Sequence, residues 1–201
     1  MLAPMAHTVC PWWLGYWLLS PLRKLRENPR TALAPFVRDG MVILEPGSGM
    51  GFFTLELARR AGATGRVIAV DLQPKMLAGL ERRAARAGLL DRIELRLAEP
   101  AALGVTDLAG RVDLALALHV VHEVPDTGRF FAEVFDALMP GGRLLFVEPK
   151  GHVSEAGFSR SLEAAERAGF QRSGTLPGFW GRTALLVKPQ AAAPAIPGPA
   201  R

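Results

Sequence analysis

One cysteine, one tyrosine and four histidines are all that 201 residues hold of those types, and each scarcity excludes something. A lone thiol, Cys10, forms no internal disulfide and no multi-thiolate metal site, and it fits a reducing, cytoplasmic setting. No apolar run reaches the ~18–20 residues that a bilayer-spanning helix needs. The first twenty residues lack the basic start of a secretory signal and are crowded with tryptophan, so no export signal is read there. No Gly-Lys-Ser/Thr follows a glycine-rich turn, which excludes a phosphate-binding P-loop. No internal repeat is visible.

What remains is ordinary for a globular chain: 49% apolar and 21% charged residues. The length suggests one domain with a full core. The net charge of +5 comes from arginines scattered along the chain. It reads as a solvated basic surface, and no nucleic-acid partner is expected.

The informative stretch is Val42–Arg60, VILEPGSGMGFFTLELARR. The apolar run Met41–Leu44 reads as a buried strand. Glu45, Gly47, Gly49 and Gly51 follow at alternate positions, with Ser48 between two of the glycines. A helical pattern then runs from Phe52 to about Arg60, with Phe53, Leu57 and Ala61 on one face. A strand, a glycine turn and a helix form the first half of a nucleotide-binding βαβ unit. Glycine lets the chain turn sharply and lets a ligand lie against bare backbone. The spacing E-x-G-x-G-x-G departs from the dinucleotide fingerprint G-x-G-x-x-G, which argues against an NAD-dependent oxidoreductase.

This stretch resembles motif I of class I S-adenosylmethionine-dependent methyltransferases, in which the acid and the glycines embrace the amino-acid end of S-adenosyl-L-methionine. The resemblance covers residues 30–189, and it is to the compact quinone and small-molecule methyltransferases of the type 11 group. It implies a Rossmann-like α/β three-layer sandwich, with a seven-stranded, mostly parallel sheet whose seventh strand is antiparallel.

The later segments follow that frame. Arg66–Val70 reads as a second strand ending at Asp71, where an acid can bind the two ribose hydroxyls or cap the next helix. Leu72 would flank the adenine. Helix Pro74–Ala87 follows, and Gly88 stops it. Strand Ile93–Leu97 ends at Glu99, which matches the family's adenine-amino acceptor but is one methylene longer. A solvated loop acid is the other reading. Val112–Leu118 reads as a central strand, apolar nearly throughout. It runs from Leu118, at the cofactor's edge, into His119, His122 and Glu123. Ligands of open α/β sheets lie outside the carboxyl ends of strands. These three residues are therefore the catalytic candidates, with either histidine as a general base or as a capping or packed side chain. A metal held by the two histidines would need Glu123 or a distant group as its third ligand, and S-adenosylmethionine chemistry needs no metal, so none is expected.

Helix Thr127–Leu138 is stopped by Met139-Pro140-Gly141-Gly142, in a run that resembles the family's L-K-P-G-G-x-L signature. Strand Leu144–Val147 then leads to Glu148, Lys150 and His152 at the same sheet end. Helix Ser154–Ala168 and two strands, Phe170–Thr175 and Phe179–Lys188, complete the domain. Residues 1–30 form a separate aromatic segment. Trp12, Trp13, Tyr16 and Trp17 fall within six residues. The segment reads as packing, as a lid that walls the acceptor pocket, or as a weak membrane-surface contact aided by the basic residues after it. The composition of 190–201 is that of a disordered tail. The expected activity is transfer of the sulfonium methyl to a small-molecule or lipid-like acceptor, with Trp12, Trp13, Tyr16, Glu148 and His152 as candidate acceptor contacts. A non-catalytic S-adenosylmethionine-binding or membrane-surface protein is the alternative.

Overall fold

The computed structural model describes residues 27–190. The aromatic segment with Trp12, Trp13, Tyr16 and Trp17, and the tail from residue 191, lie outside the described residues.

Seven strands form one sheet in the order β3-β2-β1-β4-β5-β7-β6. They are β1 Val42–Pro46, β2 Arg66–Asp71, β3 Ile93–Leu97, β4 Val112–Leu118, β5 Leu138–Glu148, β6 Gln171–Gly174 and β7 Arg182–Val187. The pairs β1–β2, β2–β3, β1–β4 and β4–β5 are parallel, and β7 runs antiparallel between β5 and β6. The expected Rossmann-like sandwich is the one found. Among the described residues, five helices flank the sheet: α1 Pro29–Leu33, α2 Thr54–Ala61, α3 Pro74–Arg86, α4 Thr127–Ala137 and α5 Glu155–Arg167. Among the described residues, no helix is long and apolar enough to cross a membrane.

Alternation along the strands separates two cores. Ile43, Val67, Ala69, Leu114 and Leu116 face α1, α2 and α3. Their neighbours Leu44, Ile68, Val70, Ala115 and Ala117 face α4 and α5. Buried on both sides, the central strands must be apolar throughout, which is why β4 reads VDLALAL. Its one polar member, Asp113, accepts the Val42 N–H at 2.8 Å and pins β1 to β4.

The structure differs from the sequence reading around Met139–Gly142. The strand begins at Leu138, directly after α4, rather than at Leu144. Val112 pairs with Leu138 and Leu114 with Arg143, so Pro140, Gly141 and Gly142 bulge out of register within one strand. Lys188 stabilises this junction, donating its Nζ at 2.8 Å to the Phe135 and Leu138 carbonyls at the end of α4. Similarly, β1 runs two residues beyond Leu44, so Glu45 is a strand residue. The turn it leads into lasts until Thr54, where α2 starts.

Phe131 is the centre of the α4 face, fully buried, with Phe130, Phe146 and Phe170 edge-on to it at 5.5, 5.4 and 6.3 Å. Phe131→Ala is expected to cost about 3–5 kcal/mol, as a cavity that three rings cannot fill. Urea unfolding followed by circular dichroism measures it.

Candidate functional site

The strand order reverses between β1 and β4, and the crevice at such a switch point is where open α/β sheets bind ligands. The carboxyl end of β1 delivers Glu45, that of β2 delivers Asp71, and that of β4 delivers Leu118 and His119.

The glycine turn needs its glycines for three different reasons. Gly47, Gly49 and Gly51 all have positive φ, at 72°, 54° and 80°. A side chain on Gly47 would also meet Val120 Cγ2 at 2.6 Å, so the loop after β4 is packed directly on this turn. A side chain on Gly51 would run into Leu80 of α3. Gly49, by contrast, opens onto free space: nothing lies within 4 Å of where its side chain would be. The turn is held from below by the N–H groups of Gly47 and Ser48, which donate to the Val70 carbonyl at 2.8 and 3.1 Å. The Arg83 guanidinium donates to the Met50 carbonyl.

Asp71 ties the turn to the next loop. Its Oδ2 accepts the Gly49 N–H at 2.8 Å and its Oδ1 the Gln73 N–H at 2.9 Å. Each oxygen keeps a lone pair for another donor. Burial raises its carboxyl above the ordinary range, against the opposing bonds from Gln73, Gly49 and Leu72. Glu45 is more extreme. It is 4% exposed, and its Oε2 has no hydrogen-bond partner. Burial pushes its pKa up to about 8; Thr54 pulls it down and the Asp71 charge adds to the rise. Ser48 Oγ and Thr54 Oγ1 are also buried without a partner in hydrogen-bonding geometry. Buried polar atoms are rarely left unsatisfied. Among the described residues there are five such atoms. Three of them crowd one ten-residue turn, and a fourth, His119 Nδ1, sits in the loop packed against it. The group suits a ligand with a cationic head for Glu45 and hydroxyls for Asp71, lying over the open face of Gly49.

The loop after β4 carries the titratable groups. His119 has φ 60°, a left-handed conformation uncommon for a residue with a side chain. It is held there by its N–H on the Val147 carbonyl at 2.8 Å. Its Nε2 lies 3.5 Å from Glu27 Oε2. His122, on the short 3-10 turn Val121–Glu123, is gripped twice by Glu148. Its N–H donates to Oε1 at 3.2 Å and its Nδ1 lies 2.5 Å from Oε2. Glu148 is 1% exposed. For His122 burial is the largest influence and opposes the charge. The bond and charge of Glu148 and the charge of Glu123, whose Oε1 is 3.9 Å from Nε2, together outweigh it and hold the imidazole above its ordinary 6.5. His152 packs its ring edge-on to that of His122 at 5.7 Å. Among the described residues, no three His, Cys, Asp or Glu side chains are placed to share a metal ion.

The structure thus brings Glu45, Gly47, Ser48, Gly49, Gly51 and Asp71 together. Leu72 is half-buried beside them. Glu99 is exposed, and what fixes it is its backbone pair with Ala102. Two partnerships escaped the sequence reading: Glu27 beside His119, and Glu148 bonded to His122. Glu27 lay in a segment read as separate from the domain. The pairing of residues 122 and 148 depends on β4 and β5 being neighbours.

A family model described as a methyltransferase domain matches residues 44–146, which is 103 of the 201 residues. The arsenite methyltransferase of Halobacterium salinarum is 34% identical over 58% of this chain and 29% of its own length. The ubiquinone/menaquinone biosynthesis C-methyltransferase of Hydrogenovibrio crunogenus is 28% identical over 56% of this chain and 43% of its own. The chain therefore spans less than half the length of these curated relatives. Among solved structures, a SAM-dependent methyltransferase from Aquifex aeolicus superposes with a TM-score of 0.75 at 22% identity, covering 89% of this chain and 97% of that one, a likeness of fold.

Proposed function

The chain belongs to the methyltransferase domain family, and from that premise we propose that it transfers the methyl group of S-adenosyl-L-methionine to a small organic acceptor. The observation that carries this reading is the buried Glu45 carboxyl, whose Oε2 has no partner, beside Asp71 and the open Gly49. When bound, S-adenosylmethionine supplies a methyl group already activated by its sulfonium. Glu45, with Ser48 and Thr54, takes the amino-acid end. Asp71 holds the ribose hydroxyls, and Leu72 flanks the adenine. Glu99, exposed after β3, is the residue offered to the adenine edge. Val120 borders the turn from the β4 side, and Leu118 ends that strand. What the protein adds is proximity, orientation and exclusion of water.

His122 is the general base of this proposal. Glu148 accepts from Nδ1 and fixes the tautomer, which leaves Nε2 to take a proton from the acceptor. His119 is the positioning residue of the loop, set by its backbone and by Glu27. Glu123 adds negative charge next to His122. The relatives act on arsenite and on quinones by their names. A soft arsenic centre suits a set of thiolates, and this chain has one cysteine, so an organic acceptor is the better fit.

Two measurements test the proposal. In isothermal titration the protein binds S-adenosylmethionine and not NAD. Asp71→Ala weakens that binding about 10- to 100-fold, the worth of a hydrogen bond to a charged group. A 2′-deoxy analogue loses less affinity in the variant than in the parent; equal losses would contradict the ribose contact.

The base is tested by pH. A base must be neutral to act, so turnover falls as pH drops through the His122 pKa, and this limb lies above 6.5 because that pKa is raised. Glu148→Gln removes the partner that holds the proton, and the imidazole's NMR titration and the limb both move to lower pH. His122→Gln lowers turnover about 10²-fold or more and leaves S-adenosylmethionine affinity unchanged. Full turnover in His122→Gln would remove the base.

A further inference from the structure

A second feature lies on the α4–α5 side of the same sheet edge. A cavity of about 690 Å³ is walled by the first turn of α4, by the face of α5 and by His122 and His152. That volume is in the range of sites for small organic ligands. Val121, Val124, Val153 and Ala164 give it apolar walls, Thr127, Ser154 and Ser161 add hydroxyls, and the exposed Arg160 and Arg167 bring two permanent cations to it.

The arginines are the informative part. They are seven residues apart, two turns along one helix, and so share a face. Among the described residues, neither has a carboxylate within 4 Å. Yet α5 carries three glutamates. Two of these are drawn elsewhere: Glu155 lies 3.6 Å from Arg182 and Glu166 pairs with Arg172 at 2.6 Å. Glu163, between the arginines, is not among the cavity walls. The other nearby acids are also engaged, Glu148 with His122 and Asp126 in capping α4. Among the described residues, then, no carboxylate closes an ion pair on either guanidinium group, Glu163 of the same helix included.

The Arg160 head is placed by the helix start. Ser154 caps α5, accepting the Gly157 N–H at 3.0 Å. Gly157 has no side chain, and one added there would come 3.8 Å from Arg160 Nη2. The guanidinium therefore rests over the first turn of a 13-residue helix, where the helix dipole is also positive.

We propose that this cavity binds a small organic anion with an apolar body, its carboxylate or phosphate held by Arg160 and Arg167. Arginine is suited to either group because its fork matches their oxygens two at a time. Resting on the methyl-transfer reading, this anion is the methyl acceptor, since His122 forms part of the same wall.

The test uses benzoate and phenyl phosphate as probes, with benzamide as the neutral counterpart and inorganic phosphate as the anion without a body. Calorimetric titration of the full chain is expected to give at least tenfold tighter binding of both aromatic anions than of benzamide, weakening as salt rises. The Arg160→Gln/Arg167→Gln variant loses that preference by tenfold or more and keeps its S-adenosylmethionine affinity within twofold. Equal binding of benzoate and benzamide, or an unchanged preference in the variant, overturns the proposal. Inorganic phosphate binding as tightly as phenyl phosphate overturns its apolar half. If the parent fails to bind S-adenosylmethionine while the anion preference and its loss hold, the methyl-transfer reading falls and the anion site stands.

Discussion

A carboxyl group buried without a full set of partners is costly to hold, and Glu45 is such a group, placed where two halves of the sheet diverge. Its strand is central and covered on both faces, so the side chain cannot turn outward without moving β1. The price is seen in its pKa, pushed up to about 8. Around it the turn follows as a consequence. Asp71 must organise the Gly49 and Gln73 N–H groups, the glycines must take positive φ, and Val120 must close against Gly47. A cation arriving beside Glu45 would relieve the burial penalty and let the carboxyl ionise.

The same packing links the two ends of the proposed reaction. Val120 touches the glycine turn, and His122 two residues later is locked to Glu148 at the end of β5. His119, between Leu118 and Val120, accepts a left-handed backbone to make the bend. Donor site, loop and dyad are therefore one contiguous rim built on four adjacent strands. Catalysis of this kind rests on holding two partners in register, and a rigid sheet edge supplies that.

Much of this was legible in the sequence because it is local. The spacing of Glu45, Gly47, Gly49 and Gly51 after an apolar run, and Asp71 at the end of the next, mark out the proposed donor site from short-range pattern alone. So does the apolar β4, which puts His119 and His122 at its carboxyl end. Less legible was what depends on strand neighbours. Glu148 reaches His122 only because β4 lies beside β5, and Glu27 meets His119 from 92 residues away. The Pro140–Gly142 run reads as a stop, yet a bulge absorbs it within β5, where Lys188, just after the neighbouring β7, bonds the Phe135 and Leu138 carbonyls. Arg160 and Arg167 stand at helical spacing, but three glutamates on the same helix make them look neutralised. Only the pull of Arg172 and Arg182 on two of those acids exposes the charge.

The central claim is that Glu45 receives the ammonium of the bound methyl donor, and proton linkage tests it most directly. With a pKa of about 8 the free carboxyl is mostly protonated at pH 7. An adjacent cation lowers that value, so binding must expel a proton. Calorimetric titration of S-adenosylmethionine at pH 7, in buffers of different ionisation enthalpy, should give release approaching one proton per site in the parent, and Glu45→Gln should abolish it. Binding without proton release in the parent, or the same release in Glu45→Gln, would contradict the account.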